Sequence, residues 1–371
     1  MLGVGYHQTI VLWKKGRLSW LPVAGVLLVL LPALNGCGTS AAAPTAVPTS
    51  VPSGTAAPAH LSLGLVTDIG GLGDRSYNDL AYAGLRREQA QDGATYQVVS
   101  SGKVADYVPN LESLTARHLS LIVAVGFSMG SAVYNVASRH PKQRFALIDA
   151  QPTDSSGKPG TLPNVADIFF KEQESGYLAG VLAGLMEKDR VGKATHNTVA
   201  YMGASPIPPV ERYLAGYVAG ARQVDPTIKI VHTYAGSFTN PAAGRTIAAQ
   251  QAGQGADILF QVAAATGAAY LDQAEKEGAY GIGADVDQSY LGPGIIASAV
   301  KRVDVAVAHV AHEIRAGRFQ GGINLLGIKE GATGIAITSD VVPRTIRLQI
   351  TQYEARVARG TIVPPATMPA R

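Results

Sequence analysis

Leu121-Ile122-Val123-Ala124-Val125 and Phe145-Ala146-Leu147-Ile148-Asp149 are two short β-rich runs, and a helical stretch beginning near Ser128 lies between them. Strand, helix and strand in that order form the βαβ unit of a parallel sheet. The same rhythm extends outward. Upstream, Leu61 to Thr67 and Tyr96 to Ser100, with helices from near Asn78 and Asp106, complete one α/β lobe. Downstream, β-rich runs near Val199 to Met202, Ile228 to Tyr234, Ile258 to Gln261 and Gly281 to Asp285 alternate with helices from near Pro208, Asn240 and Thr266. They make a second lobe of the same kind. A strand at Ile295 to Ala299, an amphipathic helix from about Lys301 to Ala316, two short β-rich runs and a helix from about Pro343 follow. The expected fold class is therefore α/β, with two Rossmann-like lobes. Residues 61–168 with part of 289–322 form lobe 1, and 169–288 with part of 323–371 form lobe 2.

The 371 residues are 47% hydrophobic and 16% charged, enough apolar material for a real core. Of 31 Lys and Arg against 27 Asp and Glu, three basic residues (Lys14, Lys15 and Arg17) are the only charges before residue 37. The remainder is nearly neutral, which argues against a nucleic-acid partner, since such binding needs clustered Lys and Arg. One cysteine excludes a disulfide framework and a Cys-rich metal site.

The early charges precede an apolar run, Leu18 to Leu34, that ends in Leu34-Asn35-Gly36-Cys37. This reads as a lipoprotein signal over 1–36, with Cys37 as the lipidated residue; two acyl chains suffice for stable anchoring where one does not. A retained membrane anchor with an incidental cysteine is the alternative. Residues 37–60, largely Ala, Pro, Thr and Ser after the cysteine, read as a tether that cannot build a core. The folded part is expected outside the cytoplasm, on the cell membrane, facing the periplasm or cell surface.

In open parallel sheets ligands bind beyond the carboxyl ends of the strands. Asp68, Gly126, Asp149 and Asp285 fall at such ends, and Lys301 follows the strand Ile295 to Ala299. Carboxylates dominate the set. They accept hydrogen bonds and repel phosphate, so they suit a ligand rich in N–H and O–H, such as a diol or a base edge. Gly126-Phe127-Ser128-Met129-Gly130 is a literal G-x-S-x-G between strand and helix, which raises a serine hydrolase as a rival. That reading lacks an HGG-type oxyanion loop, and His309 and His312 lie in the amphipathic helix rather than in a late loop. Ser128 is instead expected to be a helix N-cap that can face ligand. His309, His312 and Glu313 lack the H-E-x-x-H spacing of a zinc site, so no metal and no cofactor are expected. Gly176, Gly180 and Gly184, and Gly216 and Gly220, suggest close packing of helix on sheet.

Leu65-Val66-Thr67-Asp68-Ile69-Gly70-Gly71-Leu72-Gly73-Asp74-Arg75-Ser76-Tyr77-Asn78 resembles the opening of the basic membrane protein family, the nucleoside-binding lipoproteins of ABC transporters. Matches continue in order through Phe145 to Asp149, Glu172 to Gly180, Glu211 to Tyr217, Ile282 to Gln288 and Ser298 to Asp304. The resemblance implies a type I periplasmic-binding-protein-like fold that holds a nucleoside, typically a purine, in the cleft between its lobes. It implies a binding protein and not an enzyme, a monomer, with a permease and an ATPase as partners. By the same resemblance Tyr77 stacks on the base with Asn78 beside it, and Asp68 reads base N–H groups. Tyr213 supplies a second ring from the opposite lobe; Asp285 and Lys301 hold ribose hydroxyls, with Asp149 nearby. Tyrosine stands at 77 and 213 where the family habit is phenylalanine. A sugar-binding protein of the same fold is the other alternative.

Overall fold

The computed structural model describes residues 60–368. The expected signal segment, Cys37 and the tether up to residue 59 lie outside the described residues.

The first sheet contains β1 (Ser62–Val66), β2 (Thr95–Val99), β3 (Leu121–Val125), β4 (Phe145–Ile148), β5 (Val165–Phe170) and, much later, β11 (Gly322–Leu326). Their order is β11-β5-β4-β3-β1-β2, and all the pairings are parallel. Every residue of β3 and β4 is buried. That explains why these strands read as continuous apolar runs rather than alternating ones: helices cover both faces. One face packs on α1 (Tyr77–Asp92) and α8 (Val303–Arg315), the other on α2 (Tyr107–Thr115) and α3 (Gly130–Arg139).

The second sheet repeats the plan with β6 (Thr198–Gly203), β7 (Lys229–Tyr234), β8 (Ile258–Val262), β9 (Tyr280–Asp285), β10 (Ile295–Lys301) and β12 (Thr333–Ala336). Its order is β12-β10-β9-β8-β6-β7, with β12 antiparallel to β10. It is covered by α4 (Glu172–Lys188), α5 (Pro208–Val224) and α9 (Arg344–Ala358) on one side, and by α6 (Pro241–Gly253) and α7 (Ala264–Lys276) on the other.

The chain passes between the lobes three times: from β5 into α4, from β10 into α8, and from β11 to β12. β12 and α9 lie with the second sheet, whereas β11 pairs with β5 in the first. Lys301 does not open a helix. It is the last residue of β10, and α8 starts at Val303. The glycine series also serves a different contact from the one expected. A Cβ on Gly176 or Gly180 would run into the carbonyl oxygen of Tyr213 or Tyr217, and one on Gly216 or Gly220 into that of Gln173 or Tyr177. The glycines thus bring α4 and α5 together, helix on helix, with their backbones nearly touching.

Candidate ligand site at the lobe junction

After β1 the chain turns through a loop that its own carboxylates hold together. Asp74 accepts from the backbone N–H groups of Ser76, Asn78 and Asp79 at 2.8–3.1 Å, supplying the cap for α1 that Ser76 does not. Asp79 in turn accepts from Gly73 and Arg75. Asn78 is buried, donating to Asp68 at 2.8 Å and Asp74 at 3.0 Å and accepting from the Asp68 N–H at 3.3 Å. Its side chain therefore orients Asp68. Gly126, with φ +128°, directly follows β3 beneath that carboxylate; a Cβ there would stand 3.0 Å from Asp68 Cβ. Burial pushes the Asp68 carboxyl above its ordinary pKa, against the hydrogen bond from Asn78.

Across the junction Lys301 is enclosed. Its ammonium forms an ion pair with Asp149, beyond β4 of the other lobe, and a second with Glu172 at 3.2 Å. The rings of Tyr77 and Phe170 lie 5.1 Å from it on centroid distance, within cation–π range. Burial alone would lower the Lys301 pKa, but Asp149, Glu172 and Asp285 raise it above its ordinary value, so the group stays charged. Glu172 is fully buried and also accepts from Arg212 Nε at 2.6 Å. Asp285 accepts from Tyr213 OH and, across the lobes, from Ser76 Oγ, both at 3.3 Å. Burial raises its pKa too, partly offset by Lys301. Tyr77 lies among Asp149, Asp68 and Asp285, and burial together with these charges raises its hydroxyl pKa well above the usual value.

Asp68, Tyr77, Asn78, Gly126, Asp149, Asp285 and Lys301 are thus brought to one place. Two expected roles are corrected. Tyr213 offers no stacking face: it is 1% exposed, its ring meets Phe260 edge-on at 6.0 Å, and only its hydroxyl reaches the junction. Ser128 is no N-cap. It lies inside a 3-10 turn, Phe127–Met129; Met129 precedes α3, and Ser128 Oγ sits 3.1 Å from Tyr107 OH beside a shallow cavity of about 240 Å³. His140 pairs with Glu112 and His196 with Asp257, so neither serves Ser128. Among the described residues no group of three or more His, Cys, Asp or Glu could hold a metal ion. Glu172, Arg212, Ser76 and Phe170 were not anticipated as site residues. Glu172 and Phe170 follow the same strand-end logic as the others, but the run that forms β5 does not read as a strand from the sequence.

Asp68, Asp149, Glu172 and Asp285 are four carboxylates against two cations, Lys301 and Arg212. Asp149 Oδ1 is buried with no partner. Such a junction favours a neutral molecule with N–H and O–H groups over an anion.

Residues 62–367 match the family described as ABC transporter substrate-binding protein, PnrA-like. A Lactococcus lactis protein named ABC transporter nucleoside-binding protein BmpA is 30% identical over 329 residues, covering 82% of this chain and 89% of its own. An uncharacterized lipoprotein of Pyrococcus furiosus is 33% identical over 286 residues, covering 74% and 69%. An ABC transporter solute-binding protein from Aeropyrum pernix has the same fold, with a TM-score of 0.70, 29% identity and coverage of 82% and 94%. The six-stranded sheets of the two lobes, the residues at their junction and the match over 62–367 agree: the chain belongs to the Bmp family of PnrA-like ABC transporter substrate-binding proteins.

Proposed function

We propose that this substrate-binding protein captures a purine nucleoside outside the cytoplasm, anchored through a lipid on Cys37, and delivers it to an ABC permease without turning it over. The carrying observation is the junction itself. Tyr77 offers a ring among Asp68, Asp149 and Asp285, and Lys301 stands over that ring. In this reading Tyr77 stacks on the base, Asp68 accepts from its N–H groups, and Asp285, Asp149 and Lys301 hold the ribose hydroxyls. Base–aromatic stacking contributes roughly 1–3 kcal/mol per base in single-strand binders. The names of the relatives support the nucleoside and the lipid anchor. No helix among the described residues is long and apolar enough to cross a membrane.

The test is calorimetric titration of protein from Gly38 onward with nucleosides, free bases, nucleotides and sugars. Calorimetry suits it because both tryptophans, Trp13 and Trp20, fall in the signal. Adenosine, inosine or guanosine is expected to bind and their monophosphates to bind far more weakly. Nucleotides winning tenfold would overturn the reading, and free ribose binding as tightly as a nucleoside would replace it with a sugar.

A further inference from the structure

We propose that Glu172, braced by Arg212, is the positioning residue that aims the Lys301 ammonium into the cleft; this rests on the nucleoside reading above. A lysine ammonium has three N–H donors. Asp149 and Glu172 take two of them. One donor is left, beside the partnerless Asp149 Oδ1, so a ligand hydroxyl can accept from the lysine and donate to the aspartate.

The two carboxylates are not equivalent. Asp149 belongs to the first lobe and Lys301 to the second, so their pair lengthens whenever the lobes part. Glu172 opens α4, which packs in the second lobe, and Arg212 lies on α5 of that same lobe. The Arg212–Glu172–Lys301 chain therefore survives opening. The α4–α5 glycine contacts fix the two helices that carry it. Glu172 is also tied to the hinge. Glu174, two residues further along α4, accepts from Ile328 N–H at 2.6 Å and Thr333 Oγ1 at 3.1 Å, and Ser175 Oγ donates to Val300 C=O at 2.7 Å. Without Glu172, a lysine on a flexible stem keeps no partner of its own lobe among these ion pairs and must find its geometry anew at each closure.

The experiment is calorimetric titration of wild type, Glu172→Gln and Arg212→Met with adenosine and with 2′,3′-dideoxyadenosine, which lacks the hydroxyls Lys301 would hold. Glu172→Gln is expected to weaken adenosine tenfold or more and the dideoxy compound less than twofold. Arg212→Met, at a partly exposed site, is expected to show the same pattern at three- to tenfold, with Arg212→Lys restoring part of it. Equal losses for both ligands, or unchanged adenosine affinity, would overturn the proposal while leaving the nucleoside reading standing. Absence of binding to wild type by adenosine, inosine and guanosine alike would overturn both.

Discussion

Asp149, directly after β4, and Asp285, at the end of β9, occupy equivalent places in the two lobes with φ of +64° and +65°. A non-glycine residue in that region carries about 1–3 kcal/mol of strain, which persists where the surroundings over-determine it, commonly at ligand sites. In the proposed nucleoside reading Asp285 accepts charge-assisted hydrogen bonds from the ligand, worth about 1.5–3 kcal/mol each. Asp285→Ala is expected to weaken nucleoside binding at least 100-fold by calorimetry, while Ser128→Ala, outside the junction, stays within threefold. Ester-cleaving activity lost on Ser128→Ala would restore the hydrolase. At this scale the strand-end rule made Asp68, Asp149 and Asp285 legible from sequence. It could not show that the Tyr213 ring turns toward Phe260, since that orientation is set by a neighbour 47 residues away in the chain.

At the scale of elements, the repeating runs exposed most strands because a doubly covered sheet demands unbroken apolar segments. β5 is hidden in the sequence because Asp167 interrupts its apolar run, and Glu172 just beyond it is hidden with it. The glycine spacing was visible but not its partner, since four-residue periodicity is equally compatible with helix on sheet and helix on helix. Gly180→Ala is expected to destabilise the protein by about 1–3 kcal/mol or more in urea unfolding, because the added methyl meets Tyr217 backbone rather than a yielding side chain. In the last turn of α4, burial pushes the Glu187 carboxyl up to about 7, with Asp257 adding to it. The folded chain therefore binds a proton there that the unfolded chain has released above its ordinary value of 4.5, so stability falls as pH rises from about 4.5 to 7. His196, raised by its bond to Asp257, loses its stabilising proton as pH climbs through its folded value, in the same sense. Glu187→Gln should flatten the decline of the thermal midpoint between pH 5 and 8; an unchanged slope would assign the decline elsewhere.

For the whole molecule, three crossovers form one hinge, pinned where Lys171 N–H donates to Leu326 C=O and Arg302 N–H to Ala332 C=O, each at 2.8 Å. Among the described residues, contacts that bridge the lobes include Ser76 to Asp285, Lys301 to Asp149 and to the Tyr77 and Phe170 rings, and Arg75 over the Tyr290 ring at 5.9 Å. A ligand that satisfies these groups shifts the population toward the closed form. Small-angle scattering should show the radius of gyration falling when adenosine is added, and no change would contradict closure by ligand. Place and chemistry are tested together by a crystal structure with the tightest-binding nucleoside. The base is expected against the Tyr77 ring, with the ribose hydroxyls within hydrogen-bond distance of Asp285 and Lys301. A nucleoside seated instead in the cavity beside Phe127 and Ser128, with Tyr77 and Asp285 untouched, would contradict it.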